Sequence, residues 1–432
     1  MANNIFLKLS NNSLFSGALI GFFVKIISSV CAFFLNLIVA RDLGAEQSGY
    51  FFLAQGVIIF IANISRQGFD SALIRYVASY NIYRDNRRIC SLSVYAVFRT
   101  LTISVVFSIL IYIFSDPISI VIFSKPTFCE TLKISAWIIP GLSIVQLIGY
   151  CFQGKKEIAS AMLYQTAFVA TIGLGCFYIF SPNTSEYAIK LYLSCVYFAS
   201  IIAIMHWFYQ FDEYYFKYDD VEKKKVNNTI KSMFMILCMT QLTQWSGQFI
   251  LGAFATSSQI ALFATALRTA MLISFILIAV NAIAAPRFAE SFRTGNMDDI
   301  KSVALSSSRM MTIAAFPVLV IMWLFAPLIM GLFGSEFSSA GNVLRILAFG
   351  QFINVITGSV GYLLQMTGNE VTLRNNMFIS CIVLFICSFL FIPILGVTGA
   401  AISTSISIAT QNILCVYKVK QKLGFNTLVF WK

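Results

Sequence analysis

The sequence predicts an all-α integral membrane protein, with twelve transmembrane helices in two pseudo-symmetric six-helix lobes. Composition gives the first indication. The 432 residues are 58% hydrophobic and 11% charged, with a mean hydropathy of +0.81, whereas soluble domains carry about 25% charged residues. Run length gives the second. Most apolar runs are long enough to cross a hydrocarbon core of about 30 Å as helices, and none alternates with the period of two that a membrane β-barrel needs. The third is an internal repeat that divides the chain in half.

In chain order the twelve spans fall at approximately 14–38, 49–73, 91–115, 131–152, 158–181, 187–208, 230–252, 258–285, 308–333, 343–365, 372–393 and 397–417. The first apolar region is too long for the 7–15-residue core of a signal peptide and reads as a retained span. Lys and Arg collect on the cytoplasmic side of membrane proteins. With the N-terminus inside, 21 of the 30 basic residues lie inside, 5 lie outside and Lys25, Arg66, Arg99 and Arg268 lie within spans. Both termini are therefore expected to be cytoplasmic.

A shift of 212 positions brings the two halves into register without gaps. Leu132, Lys133, Ile134, Ala136 and Trp137 fall on Leu344, Arg345, Ile346, Ala348 and Phe349. Likewise GYCFQ from Gly149 falls on GYLLQ from Gly361, RYVASY from Arg75 on RFAESF from Arg287, and Phe51 on Phe263. Each half starts inside and holds an even number of spans, so the halves are parallel repeats about an axis along the membrane normal. The expected domains are a lobe at 1–211, a cytoplasmic linker at 212–228 and a lobe at 229–432. The charged connector Asp212–Ser232 reads as solvated, with Lys223, Lys224 and Lys225 able to touch anionic lipid at about 1 kcal/mol each.

Several function classes are disfavoured. The net charge of +12 sits beside span ends and forms no patch on a soluble domain, so lipid and not nucleic acid is the expected partner. Ten cysteines occur without a CxxC or a Cys/His pair, and small apolar packing is their default role. No metal cluster, cofactor motif or pairing of nucleophile with base emerges, so an enzyme is not expected.

The polar residues inside spans carry the functional argument. Arg268 lies about ten residues, roughly 15 Å, into its span, where a charge costs about 2.5–3.5 kcal/mol and usually turns to a cavity or partner. Lys25 sits near the midplane of span 1, on one face with Ser29 and Asn36. In span 2, Gln55, Asn63, Arg66 and Asp70 share a face, and Arg66 with Asp70 at i, i+4 is either an internal ion pair or part of the site. Span 7 carries Gln241, Gln244 and Gln248 at i, i+3, i+7, a stripe expected to line a cavity. Span 10 carries Gln351, Asn354 and Gln365 among glycines, and packing is its expected role. Arg99 is expected to snorkel, and His206 to sit in an interfacial belt.

The segments ARDLGAEQSGYFFLAQGV, PRFAESF, LFGSEFSSAGNVLRILAFGQ and LGVTGAAISTSIS resemble the Wzx-type polysaccharide flippases. These belong to the MOP exporter superfamily, with the lipid II flippases and the multidrug and toxin extrusion (MATE) transporters. The resemblance covers essentially the whole chain. It implies a MATE-like V of two six-helix lobes, and alternating-access export of an undecaprenyl-pyrophosphate-linked oligosaccharide across a bacterial inner membrane. It also implies a cationic central cavity with bases on spans 1, 2 and 8, where Lys25, Arg66 and Arg268 stand. Lys25 replaces the usual arginine, weakening bidentate phosphate contact. Twelve spans fit an O-antigen or capsule flippase, which implies the polymerase and chain-length regulator of that glycan pathway as further partners.

Four deep bases against Asp70 alone suit a pyrophosphate better than a cationic drug. The alternative is a proton- or sodium-coupled small-molecule antiporter on the same scaffold, which the resemblance implies would carry a protonatable acid in span 1 or in the second lobe; spans 1 and 7 have none, and Asp70 stands as either a coupling group or half of an ion pair. A membrane polymerase or glycosyltransferase is disfavoured by the short outer loops.

Overall fold

The structure is a computed structural model. It describes the backbone of residues 2–215 and 218–429, and side chains from Phe23 onward save those at 216–217, 232, 236, 279, 282–283, 285–286, 289, 293 and 430–432. Of the cations placed inside, Lys8, Lys217, Arg293 and Lys432 lie outside the described side chains.

The described chain is all-helical, and the helices are those the hydropathy pattern dictates. Nine are long and apolar enough to cross a membrane, ten when the bent pair Phe128–Ala136 and Ile138–Gly154 counts as one span. Spans 1 and 2 lie on one helix, Ala2–Ser65, broken at Gly44, whose φ of 67° suits glycine. Span 7 lies on Asp220–Phe254, outside that set of nine or ten. Several helix starts carry side-chain caps. The Asp85 carboxylate accepts from the Arg88 amide at 3.0 Å, Asn296 accepts from the Asp299 amide at 3.1 Å, and Thr256 with Gln259 forms a full capping box.

The repeat is visible in these boundaries. Helices start at Ile158 and Glu370, and again at Ser185 and Val397, each pair 212 apart. Asn86–Ile113 corresponds to Met297–Leu324 with a one-residue offset.

The chain packs as two compact units, Met1–Leu43 with Ala54–Cys238, and Gly44–Leu53 with Met239–Lys432. In both, large apolar side chains such as Val121, Ile179, Ile386 and Ile394 are exposed while Ser93, Ser143, Ser380 and Ser403 are buried. This distribution inverts that of a soluble protein, as lipid-facing exteriors and small-residue helix contacts require. Within the second unit, a Cβ on Gly350 would lie 2.6 Å from the Ser405 hydroxyl, so the helices there cross at backbone distance.

Two local expectations change. The connector is not simply solvated, because the helix Asp220–Phe254 begins within it and packs on the first unit. Val226 and Ile230 are buried. Tyr76 bonds Thr229 at 3.1 Å, and Tyr80 bonds Tyr218 and donates to Glu222, both at 2.9 Å. Lys223 and Lys225 are matched locally by Asp220 and Glu222, which reduces the charge available to lipid. Arg99 does not snorkel. It donates to the Gln67 side-chain oxygen Oε1 at 2.9 Å, to the Tyr95 hydroxyl at 3.0 Å and to the Asn227 side-chain oxygen, because the connector helix presents an acceptor at its level.

Candidate functional site

In the first unit, Ser65 ends a helix and Phe69 begins the next, and Arg66 occupies the turn between them. Gln67 and Gly68 have φ of 53° and 91°. Gly68 is required for contact as well as conformation, since a Cβ there would meet the Ile230 carbonyl oxygen and the Phe234 amide nitrogen, both at 3.2 Å. This turn aims Arg66 inward. Its side chain is 3% exposed, and its Nε and Nη2 donate to the two Asp70 carboxylate oxygens at 2.7 and 2.9 Å. The third edge, Nη1, donates to Gln146 Oε1 at 2.5 Å, and the Tyr150 ring lies 5.7 Å from the guanidinium carbon. Arg66 is thus one half of a bidentate buried ion pair, and offers a ligand little net charge.

Lys25 is half-buried, and among the described residues no salt bridge includes it. Ser29 and Asn36 share its face but bond back to their own helix, at the carbonyls of Lys25 (2.8 Å) and Ala32 (2.6 Å). Asn36 and Gln55 also line a 140 Å³ cavity with Gln146, Tyr164, Gln165 and Tyr192. Gln146 therefore joins this cavity to the Arg66–Asp70 pair. Asn63 is half-buried beyond the cavity wall.

In the second unit, Arg268 lies in the last turn of Ser257–Ala270. Its guanidinium carbon stands 4.2 Å from the centroid of the Phe52 ring, within the distance of a strong cation–π contact. Phe52 is itself fully buried, and its carbonyl oxygen accepts from Gln248 Nε2 at 2.8 Å. The segment bearing Phe52 is pinned at its start by a bond from the Ala45 amide to Glu336 Oε2 at 2.9 Å. Its path past Ser257 leaves no space for a side chain at Gly49, where a Cβ would fall 1.9 Å from a carbonyl oxygen. A guanidinium over a ring retains planar N–H donors, the groups with which it binds carboxylates or phosphates.

The glutamine stripe of span 7 divides. Gln248 is a packing residue, Gln241 is buried, and Gln244 lines a 450 Å³ cavity wholly within the second unit. Gln351 and Asn354, expected to serve packing, line that cavity too.

A family model described as polysaccharide biosynthesis protein matches residues 14–292, well over half of the chain. The chain belongs to that family. A second model, MatE, matches residues 233–394. A probable low-salt glycan biosynthesis flippase of Haloferax volcanii, Agl15, is 28% identical over 171 residues, a stretch covering 39% of this chain and 36% of that protein. The chain thus matches about a third of that relative's length.

Solved structures place the fold. The lipid II flippase MurJ in an inward closed conformation has a TM-score of 0.75 at 14% identity, over 93% of this chain and 87% of that one. An inward-facing multidrug resistance MATE transporter of the MOP superfamily gives 0.74 at 13% identity, over 94% and 98%. A MOP superfamily transporter from Pyrococcus furiosus gives 0.67 at 16% identity, over 96% of each chain. The fold is therefore that of MOP transporters, and its named relatives are transporters and flippases rather than enzymes.

Sequence reasoning missed Gln146, Tyr150, Gln165, Gln411 and Asn412. Gln146, Tyr150 and Gln153 lie at i, i+4, i+7, a polar stripe readable at helical period. Gln165 sits in a π-helical turn, Leu163–Ala167, where it donates to Gln153 Oε1 at 2.8 Å. Nothing in the local sequence marks that turn.

Proposed function

We propose that the chain is a flippase that moves undecaprenyl-pyrophosphate-linked oligosaccharide repeat units, of O-antigen or capsule type, from the cytoplasmic to the periplasmic face of a bacterial inner membrane by alternating access. Lys25 in the first unit and Arg268 in the second are the cations proposed to meet the pyrophosphate. Arg66 and Asp70 form the buried pair that shapes the first unit beside them. The observation that carries this reading is the environment of Arg268, a guanidinium within a membrane-spanning helix held by the Phe52 ring at 4.2 Å. A fixed cation at that depth favours an anionic cargo. Moving one negative charge outward across an inside-negative membrane releases about 2.3 kcal/mol per 100 mV, so a pyrophosphate headgroup supplies its own coupling to the potential. Both termini are proposed to be cytoplasmic, with the glycan polymerase and chain-length regulator as pathway partners.

The coupled antiporter is the second reading. Asp70 is the acid it would use, but both Asp70 oxygens are engaged by Arg66, which favours a structural role for the pair. Deletion of the gene separates the two. Accumulation of lipid-linked repeat units inside the cell supports the flippase; unchanged surface glycan with new drug sensitivity sinks it in favour of the antiporter.

A further inference from the structure

The 450 Å³ cavity of the second unit differs in kind from the cation sites. Seven helical segments contribute to its wall, and none of its lining side chains is ionisable. Five amides (Gln244, Gln351, Asn354, Gln411, Asn412) and five hydroxyls, from serine and threonine, alternate with apolar surface that includes Phe275. So many polar groups within apolar helices are costly unless water or a polar ligand meets them.

The chemistry of that ligand can be narrowed. An anion calls for a basic group and a metal ion for carboxylates, and the wall supplies neither. A volume of 450 Å³ is on the order of fifteen waters at about 30 Å³ each, far more than a cation and its ligand shell occupy, and it falls within the roughly 300–1,000 Å³ of small-molecule pockets. Amides and hydroxyls both donate and accept, which matches a ligand whose own groups do both.

Part of the wall is already set. Gln351 Oε1 accepts from the Ser274 hydroxyl at 2.6 Å, and Asn412 is held by Thr357 at 3.3 Å and by the Ile408 carbonyl at 2.9 Å. By contrast, Gln244, Asn354 and Gln411 make no side-chain hydrogen bond among the described residues. Fixed amides beside open ones make a preorganised polar pocket.

We infer that this cavity is the subsite for uncharged, polyhydroxylated sugar rings of the cargo, separate from the cations that meet its pyrophosphate. This rests on the flippase reading. The glycan is thereby read by the second unit's cavity, and sugar selectivity there is set by the amides and not by the bases.

The test titrates the full chain in lipid nanodiscs with two lipids, undecaprenyl pyrophosphate and the same lipid carrying the repeat unit of the host. The wild type is expected to bind the glycan-bearing lipid more tightly. Gln244→Leu/Gln411→Leu is expected to lose about tenfold in affinity for it, two neutral hydrogen bonds' worth, while keeping wild-type affinity for the bare lipid. Undiminished affinity of the double variant for the glycan-bearing lipid overturns the inference. If the double variant binds neither lipid, Thr404→Val, which keeps the side-chain shape, decides by the same comparison. Equal wild-type binding of the two lipids counts against this subsite alone; no wild-type binding of either counts against the flippase reading, and this inference falls with it.

Discussion

At Arg268 the guanidinium meets an aromatic face, 4.2 Å from the Phe52 centroid, whereas at Arg66 it meets a carboxylate and an amide. The first arrangement holds the group by dispersion and quadrupole attraction; the second cancels the charge almost completely. Arg268→Ala is therefore expected to abolish export while the protein still inserts and accumulates, and Arg268→Lys to retain part of the activity. Surface glycan measured beside protein level checks both. Arg66→Met leaves the partly buried Asp70 without its partner and is expected to cost up to about 3–5 kcal/mol, whereas Arg66→Met/Asp70→Leu removes both charges and recovers most of that stability. Thermal unfolding of the two variants in detergent checks this. A double variant as unstable as the single one would mean that Arg66 serves something beyond Asp70. That Arg66 and Asp70 lie one helical turn apart was legible in the sequence, and so was the possibility of pairing. Gln146, 80 residues away and bonded to Arg66, was not, because only the fold brings the two spans together.

At the level of elements there are two close contacts, and the first sets the geometry around Arg268. The Gly49 backbone passes Ser257 with no space for a methyl group, and this passage carries Phe52 to Arg268. Gly49→Ala must displace a main chain and not a flexible side chain, so the cost is expected at or above the upper end of the roughly 1–3 kcal/mol of overpacking. Export should fall with thermal stability in the same assays.

The second contact is the docked start of Asp220–Phe254. Burial pushes the Tyr80 hydroxyl up to about 12, so it stays a neutral donor, while the bond from Tyr80 and then the Lys225 ammonium hold the Glu222 carboxyl below its ordinary 4.5. A carboxyl lowered in the folded state contributes stability above its ordinary value, which is lost as pH falls through the lowered one. Hydrogen-exchange protection over 220–230, each rate taken relative to the intrinsic rate at the same pH, is expected to stay constant from about pH 8 to about pH 5 and to fall only below about pH 4.5. A loss of protection near neutral pH would contradict the role given to Glu222.

Helix positions were legible because hydropathy and cap residues act locally. The docking of the connector was not, since its charges read as solvated until Tyr80, Tyr95 and Arg99 of other helices supply partners. The division of Gln241, Gln244 and Gln248 escaped for the same reason: one stripe carries three amides, but what each amide meets depends on neighbouring helices.

For the whole molecule, the duplication explains what is shared between halves and what is not. Helix starts repeat at 212 residues, while the deep charges do not, since Lys25, Arg66, Asp70 and Arg268 fall on Leu237, Ile278, Ala282 and Gly56 under the same shift. The scaffold is duplicated and its deep charges are not. The repeat was legible because the register is gapless. The neutral cavity of the second unit was only half legible, as Gln351 and Asn354 looked like packing residues until Gln244 and Gln411 were found on the same wall.

The central claim is that this chain moves a lipid-linked glycan. Its most direct test is flipping by the purified chain in proteoliposomes, read as access of a membrane-impermeant glycosidase to undecaprenyl-pyrophosphate-linked repeat units under an imposed membrane potential. Protein-dependent flipping is expected to accelerate when the potential favours movement of the anionic headgroup and to be lost in Arg268→Ala. Flipping no faster than in protein-free liposomes, or equally fast in Arg268→Ala, would contradict it.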